Sequence, residues 1–209
     1  MAPAGAALGP TDGHEPAALG SGPPSDTETC SFPVTKTDAT GESVTISEDP
    51  DEVFVLGPSA AQTMWEIGAQ DEVVGVSYGD VSYVDYLPGI EDKTNAGSSY
   101  TPSIETIVGE DPDIVLAANI ISDDVVKQLR DAGLTVYKFR EATSVNFVAD
   151  KTRDYGEFVG HCEDAEERAE RMETQVGIIR SAVSGVEEPT ALYLLGEYGY
   201  AAGEGTFGN

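Results

Sequence analysis

The chain has 209 residues, of which 38 are acidic and 11 basic, giving a formal charge of −27. That length holds one full domain and part of another. The charge excludes nucleic acid and anionic lipid as partners, because both demand a basic footprint.

A folded chain this acidic repels itself, and salt screens the repulsion. The composition therefore points to a salt-loving host, with an ordinary acidic protein as the plainer alternative. The halophilic reading expects a melting temperature that rises with salt; a flat one rejects it. No run of about 18 apolar residues is present, so nothing reads as a membrane-spanning helix. The first residues show neither the positive start nor the apolar core of a secretory signal.

Residues 1–29, rich in Ala, Gly, Pro, Ser, Asp and Glu, have almost nothing to bury and read as a disordered leader or tether. Phe32-Pro-Val34 and Val44-Thr-Ile46 bracket Asp38-Ala-Thr-Gly41, the pattern of a β-hairpin. Buried strands follow at Val53–Leu56, Val73–Val76, Ile114–Ala117 and Leu134–Tyr137. Helices are expected at Ala60–Ile67, Ser103–Val108 and Asp123–Ala132, each followed by a glycine (Gly68, Gly109, Gly133). Strands alternating with helices indicate an α/β unit with a mainly parallel, Rossmann-like sheet. In such a sheet ligands bind beyond the carboxyl ends of the strands. The loops there are 57–60, 77–86, 118–122 and 139–143, with 98–101 placed to join them.

From Ser144 to Val183 apolar residues recur at steps of three, four and seven, the period of a buried helical face. Gly160 divides the stretch into helices over about Ser144–Val159 and Asp164–Val183, and Ser184-Gly185 and Pro189 end it. Ala191–Leu195 then reads as a fresh strand without sheet partners. The organisation expected is a tether at 1–29, an amino-terminal α/β ligand-binding lobe at 30–143, and a helical connector at 144–189. The start of a second, truncated lobe follows at 190–209, as in a fragment of a longer protein.

Cys30 and Cys162 form no CxxC pair, and His14 and His161 are poorly placed for a metal site. Bridged, they close a loop of more than a hundred residues, worth roughly 4–5 kcal/mol in the chain-entropy model. A Cys30–Cys162 bridge is expected and implies an oxidising, extracytoplasmic location; two buried free thiols are the alternative, and the lack of a visible signal fits either a missing or mis-called start or a cytoplasmic protein with free thiols.

No catalytic centre is evident. Ser59 follows a strand, but Gly-Pro-Ser-Ala-Ala is not the Gly-x-Ser-x-Gly of a nucleophile elbow, so a helix-cap or ligand-loop role fits it better. Gly203-Glu-Gly205-Thr-Phe-Gly208 matches GxGxxG without the strand–turn–helix context that gives the motif meaning. Asp111-Pro-Asp113 and Asp123-Asp124 lack calcium-loop spacing and read as solvated charge. The sharper signal is Tyr78, Tyr83, Tyr86 and Tyr100, all in loops at one end of the sheet. Tyrosine offers flat apolar area with a polar tip, suited to a large ring-containing ligand.

The string Val53-Phe-Val-Leu-Gly-Pro-Ser-Ala-Ala-Gln-Thr-Met-Trp-Glu-Ile-Gly68, followed by Glu72-Val-Val-Gly-Val-Ser77, resembles the opening of periplasmic-binding-protein-like receptors of the cobalamin and iron-siderophore type. Ser103-Ile-Glu-Thr-Ile-Val-Gly-Glu-Asp-Pro-Asp-Ile-Val-Leu-Ala117 and Leu129-Arg-Asp-Ala-Gly-Leu-Thr-Val-Tyr137 resemble further segments of the same family. The acidic composition, the Cys30 start and the Gly203–Gly208 tail are similar to its haloarchaeal members.

The resemblance implies two α/β lobes joined by a long helix, with a corrinoid, haem or iron–siderophore held between them and delivered to an ABC permease. It implies no catalysis and no resident cofactor. Glu105 matches the acidic residue that docks such a receptor onto its permease. Ser59, Tyr78, Tyr83, Tyr86, Tyr100, Asn119 and Tyr198 are the expected ligand-binding residues. The expected location is the outer face of the cell membrane, by secretion or through an anchor not visible in the chain. Two other functions stay open on the residues alone: a dinucleotide-dependent α/β enzyme using Gly203–Gly208, and a cell-surface interaction domain without a small ligand.

Overall fold

The computed structural model describes residues 30–79, 86–187, 194–195 and 200–201, the last two pairs by backbone alone. The expected tether at 1–29, Tyr83, Pro189, Tyr198 and the Gly203–Gly208 motif lie outside the described residues.

A hairpin of β1 (Val34–Thr37) and β2 (Ser43–Ile46) comes first. A five-stranded, wholly parallel sheet follows, built from β3 (Val53–Leu56), β4 (Val73–Ser77), β5 (Thr94–Asn95), β6 (Ile114–Ala117) and β7 (Val136–Lys138). Its spatial order is β5-β4-β3-β6-β7. Central strands β3 and β6 are buried at every residue, as their unbroken apolar runs require when helices cover both faces.

Helices α1 (Pro58–Glu66), α2 (Ile104–Glu110) and α3 (Asp123–Asp131) provide the crossovers. Met64 and Ile67 share one core with the hairpin, Tyr155 and Phe158. Ile107, Val126 and Leu129 fill the other face. The hairpin docks through Asp38, whose carboxylate accepts from Thr40 and from Arg130 of α3 at 2.7 Å each. The Ala39 N–H adds a bond to the Lys138 carbonyl at 2.8 Å.

Helices α4 (Val145–Phe158) and α5 (Cys162–Ala182) confirm the break at Gly160. They approach closely because Gly156 faces Ala165: a Cβ at Gly156 would lie 2.3 Å from that of Ala165. Arg153 clamps the pair by a bidentate contact to Glu166 at 2.7 and 2.9 Å. A disulfide joins Cys30 to Cys162, with Cα atoms 5.4 Å apart.

Several expectations are corrected. Helix α2 runs through Gly109 and ends at Asp111, which adopts the left-handed conformation usually left to glycine (φ 49°). Strand β5 is too short and polar to show an apolar run. The last strand of the sheet starts at Val136 rather than Leu134. The continuous buried face expected to Val183 stops early: beyond Ala169, Ile179 is 61 % and Val183 54 % exposed. Leu194–Leu195 pairs antiparallel with Tyr200–Ala201, so this short strand does have a partner.

Candidate functional site

The carboxyl ends of the sheet are level. Leu56 pairs with both Ser77 and Ala117, Ala117 with Lys138, and Val76 with Asn95. The residues that follow form one rim. From β3 the chain goes outward to β4 and β5, then crosses to β6 and β7 on the other side, so the connections diverge between β3 and β6. That divergence opens a crevice at the carboxyl ends, where sheets of this type take their ligands.

Gly57 and Ala118 meet at this crevice. Gly57 has φ 112°, and a Cβ there would come 2.8 Å from that of Ala118. The Ala118 N–H donates to the Leu56 carbonyl at 2.9 Å, joining the two loops. Ser59 is exposed in the first turn of α1, and Asn119 half-buried after β6 beside the 42 % exposed Ile120. Among the described residues no histidine serves Ser59 as a base: His161 sits at the opposite end of the sheet, 3.1 Å from Glu72, which precedes β4.

Beyond β4 and β5, two loops are laced together. The Gly79 N–H donates to the Gly97 carbonyl at 2.7 Å, and the Ser99 hydroxyl to the Ser77 carbonyl at 2.6 Å. Asn95 and Ser98 accept from the Gly97 and Tyr100 N–H groups at 2.9 and 3.2 Å. These turns present Tyr100 at 72 % exposure, and Tyr86 is 60 % exposed. Tyr78 is half-buried and packed in part against the core.

The positioning roles of Asn95, Ser98 and Ser99 were not anticipated, although Asn-x-Gly-Ser-Ser is turn chemistry. Ser77 was also missed. Its hydroxyl is buried at the end of β4 with no hydrogen-bond partner among the described residues.

Glu105 is exposed in the first turn of α2, which Ser103 caps by accepting from the Thr106 N–H at 3.2 Å. One member of each acidic pair has a structural partner. Asp113 accepts from the Asp51 and Glu52 N–H groups at 3.0 Å each, and Asp123 pairs with Lys138. Among the described residues no cluster of three or more His, Cys, Asp or Glu could hold a metal, and no helix is long and apolar enough to cross a membrane. A surface hollow lined by Thr45, Asp49, Asp51, Asp113 and Thr135 lies at the amino end of the sheet, away from the rim. Parallel-sheet chemistry favours the rim over this hollow.

Comparison with known proteins agrees with this geometry. The family model for periplasmic binding proteins matches residues 53–209. A cobalamin-binding protein of Halobacterium salinarum is 42% identical over 182 residues, covering 85% of this chain and 48% of its own length. YvrC of Bacillus subtilis, an uncharacterized ABC transporter substrate-binding lipoprotein, is 32% identical over 68% of this chain and 43% of its own length. The crystal structure of the haem-binding protein HmuT superposes with a TM-score of 0.62 at 26% identity, covering 81% of this chain and 54% of that one. The chain thus spans about half the length of the relatives it matches.

Proposed function

The chain belongs to the periplasmic binding protein family, and on that footing we propose that it captures a metal chelate over the carboxyl rim of its sheet and presents it to an ABC permease. The family is one of binding proteins rather than enzymes, which removes the dinucleotide-dependent alternative. The chelate is a corrinoid, haem or iron–siderophore. The rim forms one wall of the cleft, with Ser59, Tyr78, Tyr83, Tyr86, Tyr100, Asn119 and Tyr198 as its contact residues. A second α/β lobe, starting within 190–209, supplies the facing wall. Helix α5 is the strut between them, and the exposed Ile179 and Val183 are where the second lobe packs. Glu105, on a helix that starts at the rim, docks onto the permease. Work of this kind places the protein outside the cytoplasm, where the Cys30–Cys162 bridge is stable.

The observation that carries the proposal is the level rim of five parallel strand ends, with Tyr100 presented by the turns beyond it at 72 % exposure. Large aromatic area without a packing role inside the chain is the chemistry a flat macrocycle needs. Calorimetric titration of the full-length protein with cyanocobalamin, haem and a ferric siderophore tests it. Saturable binding of at least one is expected; failure of all three rejects the ligand class. Glu105→Lys is then expected to abolish permease stimulation while leaving ligand affinity unchanged.

A further inference from the structure

Eleven basic residues face 38 acidic ones in this chain, so nearly every cation should find a carboxylate. Lys36, Lys127, Arg130, Lys138, Arg153, Arg168 and Arg171 do, whereas Lys93, Arg140, Lys151 and Arg180 form no ion pair among the described residues. Lys151 is half-buried. The nearby acids of its own helix are turned elsewhere: Asp150 pairs with Arg153 and Asp154 with Lys36. The Lys151 ammonium instead lies 5.2 Å from the centre of the Phe139 ring and 5.9 Å from that of Tyr155. Those rings are stacked at 4.0 Å, and the ammonium sits beside the stack, which covers the lysine stem without neutralising its charge. Phe139 is the first residue beyond β7, and a helical side chain leans toward its helix's amino end. Helix α4 starts just beyond that strand end, so the ammonium is directed back toward the rim. Burial pushes its pKa below the ordinary lysine value, the expected cost of seating a cation without a counter-ion.

We propose that Lys151 is a binding residue for an anionic oxygen group, a carboxylate or phosphate, on the edge of the captured chelate. The inference rests on the ligand class given under Proposed function and adds a charge requirement to it. Strands in a sheet lie about 4.8 Å apart, so three to four spacings, on the order of 14–19 Å, separate the tyrosine loops after β4 and β5 from the end of β7. A ligand touching both is a large one with its charge at the periphery.

The test uses the full-length protein and two ligand pairs: haem with its dimethyl ester, and cyanocobalamin with cobinamide, which lacks the phosphodiester. In the pair that binds, the anionic member is expected to bind wild type about tenfold more tightly than the neutralised one, the usual size of a charge-assisted hydrogen bond. Lys151→Gln should erase that difference and Lys151→Arg largely restore it. Which pair responds distinguishes carboxylate from phosphate. Equal binding of both members to wild type overturns the inference even if no variant folds, and so does an equal loss for both members in Lys151→Gln, which marks a purely structural role. If neither pair nor a ferric siderophore binds wild type, the ligand class itself is wrong and the inference falls with it. If only the siderophore binds, the class stands and a carboxylate or phosphate anchor is rejected.

Discussion

The two ends of the parallel sheet are built on opposite plans. At the amino end the elements are tied together: Asp113 holds the Asp51 and Glu52 N–H groups, one oxygen of Glu72 meets His161 while its other is buried without a partner among the described residues, and Cys162 is bonded to Cys30. At the carboxyl end backbone turns are well satisfied, yet Tyr100 and Ile120 are exposed and the Ser77 hydroxyl is unpartnered among the described residues. The contrast shows how a small α/β unit keeps a binding rim in shape. The links at the amino end brace the sheet, so that the loops at the proposed binding end can stay open without loosening it.

Breaking the closed end should cost most. Replacing both cysteines (Cys30→Ala with Cys162→Ala) removes a link between residues 132 apart, worth up to about 5 kcal/mol in the chain-entropy limit. Urea denaturation should show the loss, while the fraction still folded binds ligand as wild type does. Asp38→Asn comes next, at roughly 2–4 kcal/mol, because it leaves Arg130 without its buried counter-charge. Burial pushes the Asp38 carboxyl up, but donors from Thr40, Arg130 and the Lys138 N–H outweigh it and hold the pKa below the usual range. Its contribution is therefore complete above the ordinary carboxylate range and disappears as pH falls through the lowered value. The acid limb of the wild-type stability curve should flatten in Asp38→Asn.

Disturbing the crevice should have a smaller effect on stability and a larger one on binding. Gly57→Ala places a methyl group in a left-handed conformation and against Ala118, at about 1–3 kcal/mol, and should weaken ligand binding as the two loops part. Smallest in stability is Tyr100→Ala. A side chain this exposed should change the unfolding free energy by no more than about 0.5 kcal/mol. Its loss should still lower ligand affinity about tenfold if the ring stacks on the chelate. A thermal melt and a titration on the same sample separate the two effects.

Much of the closed frame was legible because it rests on local signals. Apolar runs at Val53–Leu56 and Ile114–Ala117 mark the central strands, and Gly160 marks the helix break. Strand β5 left no trace, since Thr94–Asn95 has no apolar residue and gains its place only by pairing with β4. Gly109 looks like a helix stop, but Asp111 takes the left-handed position instead, and residue type alone cannot tell which of two nearby sites will do so. The tyrosines were visible as a group. Their differing exposure was not, because Tyr78 packs against residues remote in sequence. The same holds for Lys151, whose aromatic seat joins Phe139 after a strand to Tyr155 on a helix. The stripe on α5 reads as buried throughout, yet burial ends at Ala169, since α5 packs chiefly against the shorter helix α4.

Hydrogen exchange across the full-length protein, with and without a bound chelate, would test the division between the two ends most directly. Slowed exchange in residues 57–60, 77–79, 97–101 and 118–121, with the hairpin and the amino ends of the strands unchanged, is the predicted result. Protection centred on the hollow around Asp49 and Asp113, or none at the carboxyl rim, would contradict it.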